Sequence, residues 1–332
     1  MKYLNTLTLA ALALATGFAA QAQTPKMGTA IYKFDDTFMS YVRNSIMDNA
    51  KGKASIEMVD SQNAQPTQND QVDQFLAKKM AAIMINPVDR TAAAAIVDKA
   101  KAKNTPVVFF NREPMPADMK KWDKVYYVGA KAEQSGLMQG QIAVEYFKAH
   151  KDAMKSKDGV IHYVMLKGEP GHQDAELRTT YSVKAITDAG FKVDKLAEDT
   201  AMWDRPKAVE KMKAFLAKFG DKIDLVLANN DDMALGAIEA LKQEGYNTAP
   251  NAAKYIPVVG VDATAPALQA LEQGTLLGTV LNDAKNQGKA TFDIAYALAT
   301  GKSVESTGWK LDGQYIWVPY QKVTLANYKQ FK

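Results

Sequence analysis

The sequence predicts an α/β protein of two doubly wound parallel-sheet lobes in tandem, joined by a three-strand hinge with a ligand cleft between them. Three observations carry this. The length, 332 residues, exceeds one ordinary domain and suits two of about 150 residues each. Short apolar runs alternate with amphipathic stretches, the pattern of a parallel sheet covered by helices on both faces. Polar side chains gather just after the apolar runs, where open α/β sheets bind their ligands.

Taken in order, residues 27–34 (MGTAIYKF) read as a strand. Phe38 to Ala50 reads as a helix, with Met39, Val42, Ile46 and Met47 on one face at helical spacing. A strand at 54–61, a helix from Gln71 to Met80, a strand at 81–87 and a helix from Thr91 to Lys103 follow. VVFFN (107–111) closes the first set. The second set runs from a helix at Glu133–His150 through strands at 160–166, 191–199, 223–229 and 255–261. Between them lie helices at Ala175–Ala189, Arg205–Phe219, Asp231–Glu244 and Ala265–Gln273. One more helix, Ala284 to Thr300, and two β-like runs at 309–312 and 315–320 are too few for a third domain. They are expected to add to both lobes, giving three crossings near Lys131, Asn282 and Pro319. The lobes are then 23–131 plus 283–318 and 132–282 plus 319–332.

Residues 1–22 are set apart. Lys2 supplies a positive charge, Leu7 to Ala15 a short apolar core, and Ala20-Gln21-Ala22 an A-x-A cleavage signal. That is a secretory signal peptide, removed after Ala22, and the expected location is the periplasm. The apolar core is too short to span a bilayer. The sequence holds no cysteine, which excludes disulfides, thiolate metal sites, a cysteine nucleophile and a lipid-modified mature N-terminus. A net charge of +4, from 41 basic and 37 acidic residues, argues for no nucleic-acid surface. A monomer is expected.

The strand ends carry the candidate chemistry. They include Tyr32 and Asp36, Asn111 and Arg112, His172 and Asp174, Asn230, Asp262 and Asn282, with Arg178 one helical turn beyond Asp174. Planar Asp, Asn and Arg groups can each meet two neighbouring sugar hydroxyls. Phe38 and Trp203, one in each lobe, could cover the C–H faces of a pyranose. Each residue also has a plainer role: Asp36, Asp231 and Asp262 each precede a helix and could cap it.

Several segments resemble the periplasmic D-galactose/D-glucose-binding proteins of bacteria. They are YKFDDTFMS, VVFFNREP, LKGEPGHQDAELRTTY, DTAMWD, ANNDDMALGAIEALK, GVDA and GTVLNDAKNQGKATFD, and the resemblance spans essentially all of the chain beyond residue 22. It implies a hexose held between the lobes by Asp36 and Asn111 on one side. His172, Asp174, Arg178, Asn230 and Asp262 hold it on the other, with Asn282 at a crossover. Phe38 and Trp203 match the stacking aromatics, Tyr32 edges the pocket, and Arg112 stands where the family often has lysine. Asp36 matches the residue that accepts either epimer at the sugar 4-hydroxyl, so both galactose and glucose are expected. An ABC-type sugar permease is the implied partner, and a chemotaxis receptor a further one.

The family's calcium loop is degenerate here. Met154 and His162 fall on side-chain ligand positions and Ser156 on a third, leaving Asp158 and the distant Asp224. A thioether is a poor ligand for a hard cation, so the metal site is expected to be lost and no cofactor is expected.

Other functions fit less well. A glycosidase needs two suitable carboxylates, and Arg178 four residues after Asp174 is expected to keep that group ionised and unfit as an acid. A sugar-responsive repressor would carry a DNA-reading head where the signal peptide lies. A receptor for another monosaccharide, such as ribose, is the nearest alternative.

Overall fold

The computed structural model describes residues 24–248 and 254–332; the signal peptide and its cleavage site lie outside them. The first lobe begins β1 (Lys26–Ile31), α1 (Thr37–Ala50), β2 (Ser55–Asp60), α2 (Gln65–Ala77) and β3 (Ala82–Ile85). It continues α3 (Ala93–Ala102), β4 (Val107–Phe110), α4 (Pro116–Met119) and β5 (Val125–Gly129). The chain then crosses to the second lobe, with α5 (Ala132–Ala149), β6 (Val160–Lys167), α6 (Gln173–Asp188), β7 (Lys192–Thr200) and α7 (Arg205–Phe219). Next come β8 (Leu225–Ala228), α8 (Asp231–Gln243), β9 (Val258–Val259), α9 (Ala265–Glu272) and β10 (Gly278–Leu281). It crosses back into α10 (Ala284–Ala299), β11 (Leu311–Asp312) and β12 (Tyr315–Trp317), and crosses once more to β13 (Gln321–Thr324).

The first sheet has seven strands in the order β11-β12-β5-β4-β3-β1-β2, and the second has six in the order β13-β10-β9-β8-β6-β7. All pairings are parallel except β11 with β12 and β10 with β13. The parallel strands β3, β4 and β8 are buried along their whole length, as strands covered on both faces must be. That is why they read as unbroken apolar runs. In each sheet the strand order reverses beside the first parallel strand, β1 or β6, which is where a crevice opens at the carboxyl ends.

Helix packing assigns the crossing segments. α10 packs against α1, and α5 against α6. The α1–α10 approach is close: a Cβ on Gly288 would lie 2.5 Å from Cβ of Ser45, so only glycine fits there. Ser45 Oγ, in turn, donates to the Lys285 carbonyl at 2.6 Å.

Several boundaries differ from the sequence reading. α2 starts at Gln65 rather than Gln71, because Pro66 opens its first turn and the polar Gln68 is buried rather than solvated. β9 is only Val258–Val259. β5 and β13 were not expected, and neither was the short α4. Only that four-residue helix separates β4 from β5, so the strand–helix alternation that located the other elements fails there. Among the described residues no helix is long and apolar enough to cross a membrane.

Candidate functional site

A cavity lies between the lobes. Every candidate ligand-binding residue named from the sequence lines it: Tyr32, Asp36, Phe38, Asn111, Arg112, His172, Asp174, Arg178, Trp203, Asn230, Asp262 and Asn282. Met39 joins them, brought there by its place one residue past Phe38 in the first turn of α1.

The first lobe's groups are set by short-range geometry. Asp36 caps α1, accepting from Met39 N at 2.8 Å through Oδ1, while its Oδ2 accepts from the Tyr32 hydroxyl at 2.5 Å. Capping and facing the cavity are therefore done by one carboxylate, not by alternatives. Asn111 follows β4 with φ +61°, a left-handed conformation that asparagine tolerates. Its Oδ1 accepts from Asn86 Nδ2 at 3.1 Å and its carbonyl from the Tyr127 hydroxyl at 2.7 Å. The Arg112 guanidinium lies over the Tyr32 ring at 3.7 Å and donates to the Val88 carbonyl at 2.7 Å.

In the second lobe two helix caps, His172 and Asn230, line the cavity. His172 caps α6, its Nδ1 accepting from Asp174 N at 3.1 Å. A ring nitrogen that accepts is unprotonated, so the neutral imidazole carries its proton on Nε2. Burial lowers the His172 pKa well below the usual histidine value, and the charges of Arg112, Arg178 and Arg90 lower it further. Asn230 caps α8, accepting from Met233 N at 3.0 Å and donating to the Trp203 carbonyl at 3.3 Å. Asp231, next to it, is the first residue of α8 and accepts from Thr264 and Thr279 instead of capping. Asp262 does not cap α9 either: the cap residue is Thr264. Asp262 has φ +129° and accepts from Asn282 Nδ2 at 3.2 Å. Asn282 Oδ1 accepts from Gln287 Nε2 at 2.5 Å, which fixes which end of the Asn282 amide faces Asp262.

Trp203 has φ +64° and its indole lies against Gly168, where a Cβ would approach to 2.1 Å. The absent side chain of Gly168 is the space the indole occupies. The His172 ring meets the indole edge-on at 5.1 Å. Arg178 is 4% exposed and pairs with Asp174 at 3.3 Å. It also donates to the Asn229 carbonyl at 2.9 Å, Tyr320 Oη at 3.1 Å and Ser135 Oγ at 3.3 Å.

The pairing was expected to keep Asp174 ionised and unfit as an acid. In the closed cleft its pKa is raised, because burial outweighs the opposing field of Arg178. Asp262 is raised well above its ordinary value by burial, with buried Asp231 adding to the rise and Arg178 opposing it.

The lobes meet over the cavity. Arg112 Nη2 lies 3.0 Å from Glu169 Oε2, and Gln173 Nε2 donates to Glu113 Oε2 at 3.0 Å. Both contacts join the first lobe to the second. Glu169, Ser135, Gln287 and Tyr320 were not foreseen. Tyr320 left a trace in the sequence, a hydroxyl-bearing aromatic after Pro319 at an expected crossing. Ser135 left none.

The loop at 154–162 is tied up by the chain's own donors. Asp224 is fully buried. Its Oδ1 accepts from Lys155 N at 2.8 Å, and its Oδ2 accepts from His162 N at 2.9 Å and faces His162 Nδ1 at 3.2 Å. Asp158 Oδ1 accepts from Ser156 Oγ at 2.6 Å and Val160 N at 2.8 Å. Such a set does not fit calcium, which asks for six to eight free oxygens. Among the described residues, no group of three or more His, Asp or Glu side chains is placed to hold a metal ion.

A family model described as a periplasmic binding protein domain matches residues 27–303. A D-galactose/methyl-galactoside binding periplasmic protein of Haemophilus influenzae is 44% identical, over 97% of this chain and 96% of its own. The ribose import binding protein of Bacillus subtilis is 28% identical over 85% of this chain and 84% of its own. An ABC transporter solute binding protein of Bacillus halodurans, solved with bound myo-inositol, superposes with a TM-score of 0.77. It is 30% identical, covering 93% of this chain and 97% of that one.

Proposed function

The chain belongs to the periplasmic binding protein family, and we propose that it captures D-galactose and D-glucose between its lobes and delivers them to an ABC-type importer. The observation that carries this is the cavity itself, in which carboxylates, amides, one neutral imidazole and two guanidinium groups converge with Phe38 and Trp203. Hydroxyls both donate and accept, and the site offers both kinds of partner. The galactoside-binding relative, at 44% identity, supports hexose over the ribose-type alternative at 28%.

The magnitude is reasonable. A micromolar Kd corresponds to about −8.2 kcal/mol, or roughly 0.7 kcal/mol for each of the ~12 heavy atoms of a hexose, inside the small-ligand ceiling of about 1.5. The protein binds and releases its ligand without turnover. The protein works without calcium, since Asp158 and Asp224 already accept the loop's own N–H and O–H groups. A chemotaxis receptor that reads the closed form is a further partner of this scheme.

Titrating the purified protein with a panel of sugars, followed by tryptophan fluorescence and calorimetry, tests the reading. Galactose and glucose should bind, and ribose should bind far more weakly. Asp174→Ala should weaken hexose binding by roughly 30-fold to several-thousand-fold, the range for removing one partner of a desolvated pair. Near wild-type affinity in that variant would remove Asp174 from the site.

A further inference from the structure

Arg178 spends most of its donors on the protein. A guanidinium has five N–H groups. Nε–H goes to Ser135, one N–H of Nη1 to the Asn229 carbonyl, and those of Nη2 to Asp174 and Tyr320. A single N–H, on Nη1, is left for a ligand, and its direction is set by where the other four are held.

Two of those four acceptors lie at lobe crossings. Ser135 is in the first turn of α5, just past the first crossing, and its own hydroxyl donates to the Ala132 carbonyl at 2.7 Å. Tyr320 lies in the last crossing, between β12 and β13, and is 4% exposed. Burial would be satisfied by phenylalanine there. The hydroxyl is what reaches Arg178, and burial pushes its pKa up to about 12, so it stays a neutral acceptor at working pH.

We propose that Tyr320, seconded by Ser135, is a positioning residue for the sugar. Held from two of the three crossings, the Arg178 fork is aimed by the hinge, and its free N–H meets one ligand hydroxyl only when the crossings adopt the closed arrangement. The affinity and selectivity of the site for that hydroxyl therefore depend on a residue that lies outside the cavity lining. This rests on the hexose reading above.

The test uses Tyr320→Phe, which keeps the ring and its packing, and a set of monodeoxy hexoses. Hexose binding should weaken roughly tenfold, the scale of a lost hydrogen bond to a charged group. That penalty should collapse to less than about twofold for the one deoxy analogue lacking the hydroxyl that Arg178 meets, and persist for the others. Ser135→Ala should single out the same analogue. Wild-type affinity in Tyr320→Phe, or a penalty spread evenly over all analogues, overturns the proposal while leaving the hexose reading intact. A wild-type protein that binds no hexose overturns that reading instead.

Discussion

At the scale of single residues, His172 caps α6 with a ring that also lines the cavity. Its Nδ1 accepts from Asp174 N, so a proton there would break the cap and place a charge in a buried site near the guanidinium groups of Arg112, Arg178 and Arg90. The closed-state pKa is depressed below the ordinary value. His172 therefore favours the closed form fully above about pH 6.5, and that contribution is lost as pH falls below it, by up to about tenfold in affinity per pH unit. Asp174 and Asp262 have raised values and act in the opposite sense, their contribution being lost as pH rises. The histidine part is isolated by a ratio. His172→Asn can still cap and donate but does not titrate, so it should bind hexose less tightly at pH 7.5. Its deficit relative to wild type should then shrink steadily on going to pH 5. Calorimetry at several pH values reads this directly, and a constant ratio would mean that His172 does not titrate on closure.

At the scale of elements, legibility followed regularity. α7 was placed to the residue, because Asp204 accepts from Lys207 N ahead of a proline in the first turn, and cap and proline are both sequence signals. β5 was hidden for the opposite reason, since no full helix precedes it. The cavity lining was legible because strand-end positions are readable even where strand lengths are not, and the motifs behind the family resemblance pointed to the polar groups that line it. Ser135 and Gln287 were illegible: each works through a long-range contact or an amide orientation that no local pattern records. The 154–162 loop shows the same logic in reverse. Met154 and His162 place a thioether and an imidazole where the resemblance implies oxygen ligands, and the backbone N–H groups of Lys155, Val160 and His162 donate to the carboxylates of Asp224 and Asp158. Treatment with a chelator should leave the melting temperature unchanged. A fall of several degrees, reversed by adding calcium, would show that the loop still holds an ion.

At the scale of the whole molecule, ligand groups are split between lobes that are joined only by three short crossings and by contacts across the cleft. One of those contacts, Arg112 with Glu169, is a pair with side-chain exposures of 6% and 16%. Such desolvated pairs gain little net energy, so a sugar that bridges both lobes can decide whether the cleft stays shut. Small-angle scattering should show a smaller radius of gyration with saturating glucose than without. An unchanged radius would count against capture by closure.

β12 and β13 come from the final stretch of the chain, one to each sheet, where they pair with β5 and β10. During synthesis from the N-terminus, which proceeds at about 5–20 residues per second, neither sheet can acquire its last partner until almost the whole polypeptide has been made. β5 and β10 wait with unpaired edges, and α1 waits for α10. Neither lobe can therefore finish folding early as an independent unit.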